Sequence, residues 1–316
     1  MRICYDNQRC GVILLEYRCG ADGGCVMSEE QWGVQKILGR DFGDEAEVLL
    51  VLSRRFPGVG GTIATEKAVL TAIRQEFSSK PGHAKTLFYK HAMIKKLCDF
   101  FHGSDRYAYQ HIPRPLGSAT IMRENGETRE AYFYQWAQGS EGFPWFYVDR
   151  EGKRAPVELD EWNKFVSSFY EAGIDLSYDC TVPDGEVSKN VIHEMPDGAE
   201  HRSKFNCLWK RIDFGDRSMI FNPEACAKFI RDSREKLIRV FGSSGLDRYE
   251  MMELMLRHIM DGSLDAHSAG RLEILMRDYR KSTLRDHVAS SLGEHTDAPL
   301  ALCIPHENGD SFARHQ

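Results

Sequence analysis

The tetrapeptide Asp-Phe-Gly-Asp occurs twice, at residues 41–44 in "ILGRDFGDEAEVLLVLS" and at residues 213–216 in "LWKRIDFGDRSMIF". Two chemistries are available to such a string. A carboxylate oxygen suits a hard divalent cation. A glycine lets backbone approach a phosphate closely. The first copy lies in a turn carrying Gly39, Phe42 and Gly43, with Val48 on the return strand. The second places Asp213 at the end of an apolar and basic run that begins at Leu208-Trp209. Upstream of it, "EAGIDLSYDCTVPDGEVSKNVIHE" holds Asp175, Asp179, Asp184 and Asn190. A turn aspartate that caps its own backbone is the plain alternative for each acid, and it is the better reading of Asp184, which precedes Gly185.

These residues need elements to hold them. Residues 34–53 read as strand, glycine-bearing turn and strand. "FPGVGGT" is a loop by its proline and glycine content. "ATEKAVLTAIRQEFS" (64–78) fits a helix face or a strand, and Thr65 as a possible N-cap tilts it to helix. Residues 83–101 carry Leu87, Phe88, Ala92, Ile94, Leu97 and Phe101 at helical spacing, with lysines on a solvated face. Residues 118–138 form a second hairpin around Asn125-Gly126. Beyond it the pattern turns helical, over 159–173, 223–243, 246–262 and 264–288, with Gly173 as a natural helix terminator. Segregated strands and helices predict an α+β fold. The expected divisions are an N-terminal appendage at 1–28, a β-rich lobe at 29–138, a helical lobe at 139–292 and a loosely held tail at 293–316.

Bulk properties narrow the partners. A chain of 316 residues is long enough for two lobes. A net charge of -6 argues against a broad nucleic-acid or anionic-membrane footprint. No stretch approaches ~18 apolar residues, and the N-terminus lacks a signal-peptide layout. The nine cysteines are an odd number and read as free thiols of a reducing, cytoplasmic compartment. Cys4, Cys10, Cys19 and Cys25 could alternatively form a zinc knot, although their gaps exceed the usual ligand spacing.

Taken in order, the motifs resemble those of the protein kinase-like superfamily, over roughly residues 31–290. "ILGRDFGDEAEV" resembles the glycine-rich loop, with Asp41 where the family has one of its three glycines. "EAYFYQWAQG" resembles the hinge, where Gln135, Trp136 and Ala137 would meet adenine through backbone hydrogen bonds. The base loop is matched by Asp179 and Asn190, eleven residues apart where the family has five, with Ser177-Tyr178 in place of His-Arg. "IDFG" matches the metal-binding aspartate. The resemblance implies a two-lobed fold with ATP and Mg²⁺ as cofactors. Gly39, Phe42 and Gly43 would cover the phosphates. Asn190 and Asp213 would hold the metal, and Asp179 would be the base, with Asp175 and Asp184 as rivals. The lysine that pairs with the phosphates has no VAIK-like string: Lys67 and Lys90 are candidates, and Arg74 stands where a lysine could be. The helix at 83–101 carries Lys90 and His91 at its centre and no glutamate. No APE-like string follows Asp213, which leans the resemblance towards a small-molecule or atypical kinase acting on an unknown acceptor. A catalytically silent nucleotide-binding module and a non-kinase α+β protein are the alternatives.

Overall fold

A computed structural model describes residues 12–19, 25–32, 34–42, 45–58, 61–77, 80–102, 111–122, 128–137, 139–141, 146–148, 154–156, 160–178, 190–194, 208–215 and 218–291. The fold is mixed α+β, and every strand pairing among the described residues is antiparallel. The chain divides into two compact units, each assembled from separated segments.

The first unit takes residues 1–95, 114–136 and 237–296. Its strands are β1 (Val12–Cys19), β2 (Cys25–Trp32), β3 (Val34–Phe42), β4 (Ala46–Gly58), β5 (Gly61–Glu76), β6 (Pro115–Met122) and β7 (Thr128–Gln135). They form one sheet in the order β2-β1-β6-β7-β5-β4-β3. β4 shows the period of a strand: Glu47, Leu49, Val51 and Ser53 are buried, while Val48, Leu50 and Leu52 between them are only half-buried. β5 corrects the helix expected over 64–78. Six consecutive residues, Thr71 to Glu76, are all buried, because β5 is an inner strand between β4 and β7. A strand buried on both faces loses its alternation and reads like a buried helix. The expected appendage also differs. β1 pairs with β2 from Val12↔Trp32 to Cys19↔Cys25, and joins the sheet through Leu14↔Ile121 and Leu15↔Thr120.

Helix α1 (His83–His102) follows β5. No acid stands in its first turn. Its N-terminal amides are met instead by Glu130 of β7, whose Oε1 accepts from Gly82 N–H at 2.6 Å and whose Oε2 accepts from Ala84 N–H at 3.1 Å. Lys90 and Lys95 are buried with His91, so the solvated lysine face expected on this helix is corrected at those positions. The reason is that α1 is enclosed on most of its surface: Leu87, Phe88, Tyr89, Ala92, Met93 and Ile94 are all buried as well.

Two long helices expected in the helical lobe, α5 (Ser243–Asp261) and α6 (Ala266–Ser291), belong to the first unit. α6 packs against β4, β5 and β6. Alternate residues of β5 point to opposite faces. Thr71 Oγ1 lies 3.3 Å from His287 Nε2 of α6, whereas Glu76 lies 3.6 Å from His83 Nε2 of α1.

The second unit takes residues 96–113, 137–236 and 297–316. Helix α2 (Asp160–Tyr170) buries Phe165, Val166 and Phe169. Phe169 meets Phe101 edge-on with centroids 5.1 Å apart, and Phe165 lies 4.9 Å from the His111 ring. Short strands follow: β8 (Gly139–Glu141), β9 (Phe146–Val148), β10 (Arg154–Pro156), β11 (Ile174–Asp175), β12 (Val191–Glu194), β13 (Leu208–Arg211) and β14 (Ile220–Phe221). β13-β12-β8 form a three-stranded sheet, and β11 pairs with β14. The helix expected over 223–243 is two, α3 (Pro223–Asp232) and α4 (Arg234–Phe241), parted at Ser233. α3 starts on Asn222, whose side chain accepts from Ala225 N–H at 3.1 Å, with Pro223 at the first helical position.

Candidate functional site

In the second unit the β12–β13 ladder positions the acid and the amide. Val191 pairs with Arg211, and Ile212 N–H donates to Asn190 O at 3.0 Å. Asn190 therefore stands opposite Ile212, and Asp213 is the next residue along the chain. Asp213 is half-buried and turns the chain, its Oδ1 accepting from Gly215 N–H at 2.8 Å. Phe214 is fully buried, which anchors this turn in the core. Ser218 closes it, donating through its backbone N–H and its hydroxyl to Gly215 O at 3.3 and 3.0 Å.

Asp179 and Asp184 lie outside the described residues. Their rival Asp175 does not, and it has a local task. Its Oδ1 accepts from Ser177 N–H at 2.9 Å and from Ser177 Oγ at 2.6 Å, while Ser177 Oγ also lies 2.8 Å from Tyr170 Oη. Burial pushes the Asp175 carboxyl up, but hydrogen bonds from Ser177 and Tyr170 outweigh it and hold it below the usual range. A carboxylate stabilised this way is a turn-former and a poorer proton acceptor.

One side chain ties these pieces together. Arg211 is fully buried. Its Nη2 donates to Tyr178 O at 3.2 Å and to Ser218 O, and its Nη1 reaches Asn190 O at 3.5 Å. Its backbone N–H donates to His111 O at 3.0 Å. The sequence reading passed over Arg211. The available signal was a second basic residue, after Lys210, inside a four-residue strand leading to Asp213.

In the first unit, Gly39 pairs with Leu50 of β4 where the β3–β4 register shifts between Ile37 and Gly39. Phe42 ends β3 opposite Glu47. Gly43 lies outside the described residues. Lys67 falls within β5, at the register shift between its two stretches paired with β4, Gly61–Ala64 and Val69–Glu76. Lys90 is buried in α1. Arg74 sits in β5 between Val48 and Tyr132. It donates through Nε to Glu76 Oε1 at 2.7 Å and reaches Glu45 Oε2 at 3.4 Å. Burial pushes the Glu76 carboxyl above its ordinary value, against the opposing pull of Arg74 and His83. Gln135 ends β7 and is held by Arg114: its Oε1 accepts from the Arg114 backbone at 3.3 Å and from Nη1 at 3.2 Å. Trp136 is half-buried and ends the first unit, and the buried Ala137 opens the second.

The residues near 39–42, 67, 74, 90 and 135–136 thus belong to one unit, and Ala137, Asn190 and Asp213 to the other. Cys19 pairs with Cys25 in the backbone register at the end of the β1–β2 hairpin, while Cys4 and Cys10 lie outside the described residues. Among the described residues no group of three or more His, Cys, Asp or Glu side chains assembles a metal cluster. Nor is any helix among them long and apolar enough to cross a membrane. No protein-family model matches the chain, and no curated protein matches it.

Proposed function

We propose that the chain is a divergent, two-lobed kinase-like phosphotransferase that uses ATP and Mg²⁺ to phosphorylate a hydroxyl acceptor. The observation that carries this reading is the ladder at Asn190 and Asp213. Asn190, which carries a carboxamide, stands opposite Ile212 across the strand pair, and Asp213, which carries a carboxylate, is the next residue along, at the start of an Asp-Phe-Gly turn whose phenylalanine is fully buried. Both offer the oxygen donors that a hard cation takes. When bound, Mg²⁺ supplies neutralisation of phosphate charge.

The order of elements supports the same reading. A glycine-bearing hairpin, β3–β4, is followed by the strand β5 and then by the helix α1. In the family the strand after the hairpin carries the phosphate-pairing cation, and the next helix orients it. Arg74 is a buried basic side chain of β5, and it is oriented by Glu76 of its own strand and by Glu45. β7 then runs into Gln135, Trp136 and Ala137, the segment proposed to meet adenine. Asp179 would take the acceptor's proton, and the chemistry would rest on positioning and charge neutralisation.

Asp213→Asn tests the reading. Asparagine keeps an oxygen for the Gly215 N–H and removes the charge. The expected result is loss of ATP-dependent phosphate transfer with the thermal midpoint retained. Full turnover in this variant would overturn the assignment.

A second reading has its own observation. The polar side chains buried along α1 include Lys90, His91 and Lys95, and the helix has no glutamate. That departure from the family's lysine–glutamate pair favours a catalytically silent, nucleotide-binding module. A thermal shift with ATP and Mg²⁺, unaccompanied by transfer or hydrolysis, would select it.

A further inference from the structure

Arg211 is the largest fully buried side chain among the described residues, and it carries a charge. Burying a guanidinium is costly unless hydrogen bonds compensate it. Its rigid plane carries five N–H donors in a fixed fork. Here that fork meets three backbone carbonyls from three segments far apart in sequence. Tyr178 is the residue before Asp179. Asn190 is the proposed metal-binding amide. Ser218 closes the turn that begins at Asp213. The carbonyl of Ser218 marks the far end of the aspartate turn.

We propose that Arg211 is a positioning residue, whose single guanidinium fastens the backbone at Tyr178, Asn190 and Ser218 together and so fixes Asn190 relative to the Asp213 turn. What it positions rests on the phosphotransfer reading; the fastening itself does not. Its position in the chain suits this role. β13 delivers Arg211 two residues before Asp213, and its backbone is tethered to His111 O on the side away from Ile212 and Asn190. The carbonyls it holds lie on backbone adjoining the reactive groups. Its effect on chemistry therefore passes through Asn190 and Asp213.

The test uses the full chain with Arg211→Lys and Arg211→Met. Lysine is a point donor on a flexible stem and cannot span three carbonyls in one plane. Two readouts are taken. Hydrogen exchange by mass spectrometry should accelerate in peptides containing Leu176–Tyr178, Asn190–Glu194 and Phe214–Met219, with the first unit unchanged. The Mg²⁺ concentration giving half of the ATP-induced thermal shift should rise about 10- to 100-fold, the usual effect of removing a group that orients a metal ligand. If Arg211→Met does not fold, Arg211→Lys carries both readouts. Unchanged exchange in the three peptides overturns the proposal. So does acceleration spread evenly over the whole second unit, which is what a merely structural role predicts. Local acceleration in a chain whose wild type shows no ATP-Mg²⁺ shift sustains the fastening and removes the phosphotransfer reading.

Discussion

Gly173→Ala should destabilise the second unit far more than an ordinary glycine replacement. Gly173 follows α2 with φ of 68°. Holding a non-glycine residue in that left-handed region costs about 1–2 kcal/mol. Space adds a second cost. A Cβ built there would stand 2.6 Å from Ala225 Cβ and 3.0 Å from Asn222 O. Backing away is obstructed, because Gly173 O accepts Asn222 N–H at 2.8 Å, and Asn222 is the N-cap of α3. Forcing such a contact apart costs about 1–3 kcal/mol. The expected total is about 2–5 kcal/mol, read as exchange protection lost by α2 and α3 amides. Gly262 is the control: its φ is 75° and nothing lies within 4 Å of its added Cβ, so Gly262→Ala should cost only the conformational part. Ala225→Gly in the Gly173→Ala background removes the nearest clashing atom. A coupling of about 1 kcal/mol or more is expected in that cycle. If Gly173→Ala costs no more than Gly262→Ala, and Ala225→Gly restores nothing, the packing argument is refuted.

Three further outcomes follow from the geometry. His258 is buried edge-on to Tyr89 with ring centroids 4.9 Å apart and Nε2 unpaired, and burial, then nearby Lys85, holds its pKa below the ordinary 6.5. The fold therefore favours the neutral ring, and this stability is present above the unfolded pKa and lost as pH falls towards the depressed folded one. His258→Phe should flatten the fall in thermal midpoint between pH ~7.5 and ~5.5, and an unchanged slope would contradict the assignment. Glu130→Ala removes both carboxylate contacts at the start of α1, and should cost about 1–2 kcal/mol in urea unfolding, in the range of a lost N-cap. Cys98 and Cys226 are buried, and burial pushes the Cys226 thiol up to about 12. Mass spectrometry after iodoacetamide should find both unmodified in the native protein and modified after unfolding.

Part of the second unit's local structure was legible because its signals are local. An apolar run ending at Asp-Phe-Gly gave β13 and its turn, whereas the partner strand β12, only four residues long, left no such signal. Gly173 read as a helix terminator because left-handed backbone selects glycine. What escaped depends on distance or on double burial. β5 has no alternation to read because neighbours and helices enclose it. The acid that caps α1 lies 48 residues from Gly82. Lys90, Lys95 and Arg211 look like solvated charges in sequence, and only packing turns them inward. The amphipathic pattern of residues 243–291 announced helices and carried no address for the surface they cover.

The first unit is drawn from both ends of the described chain, and α6 is its last element. During synthesis, residues leave the ribosome in order and domains tend to fold as they emerge. β4, β5 and β6 emerge long before the helix that covers them, and the entire stretch 137–236 is translated in between. The nascent sheet must wait with an apolar surface bare until residue 291 is free, so a stop codon anywhere before α6 would leave that surface permanently open to aggregation.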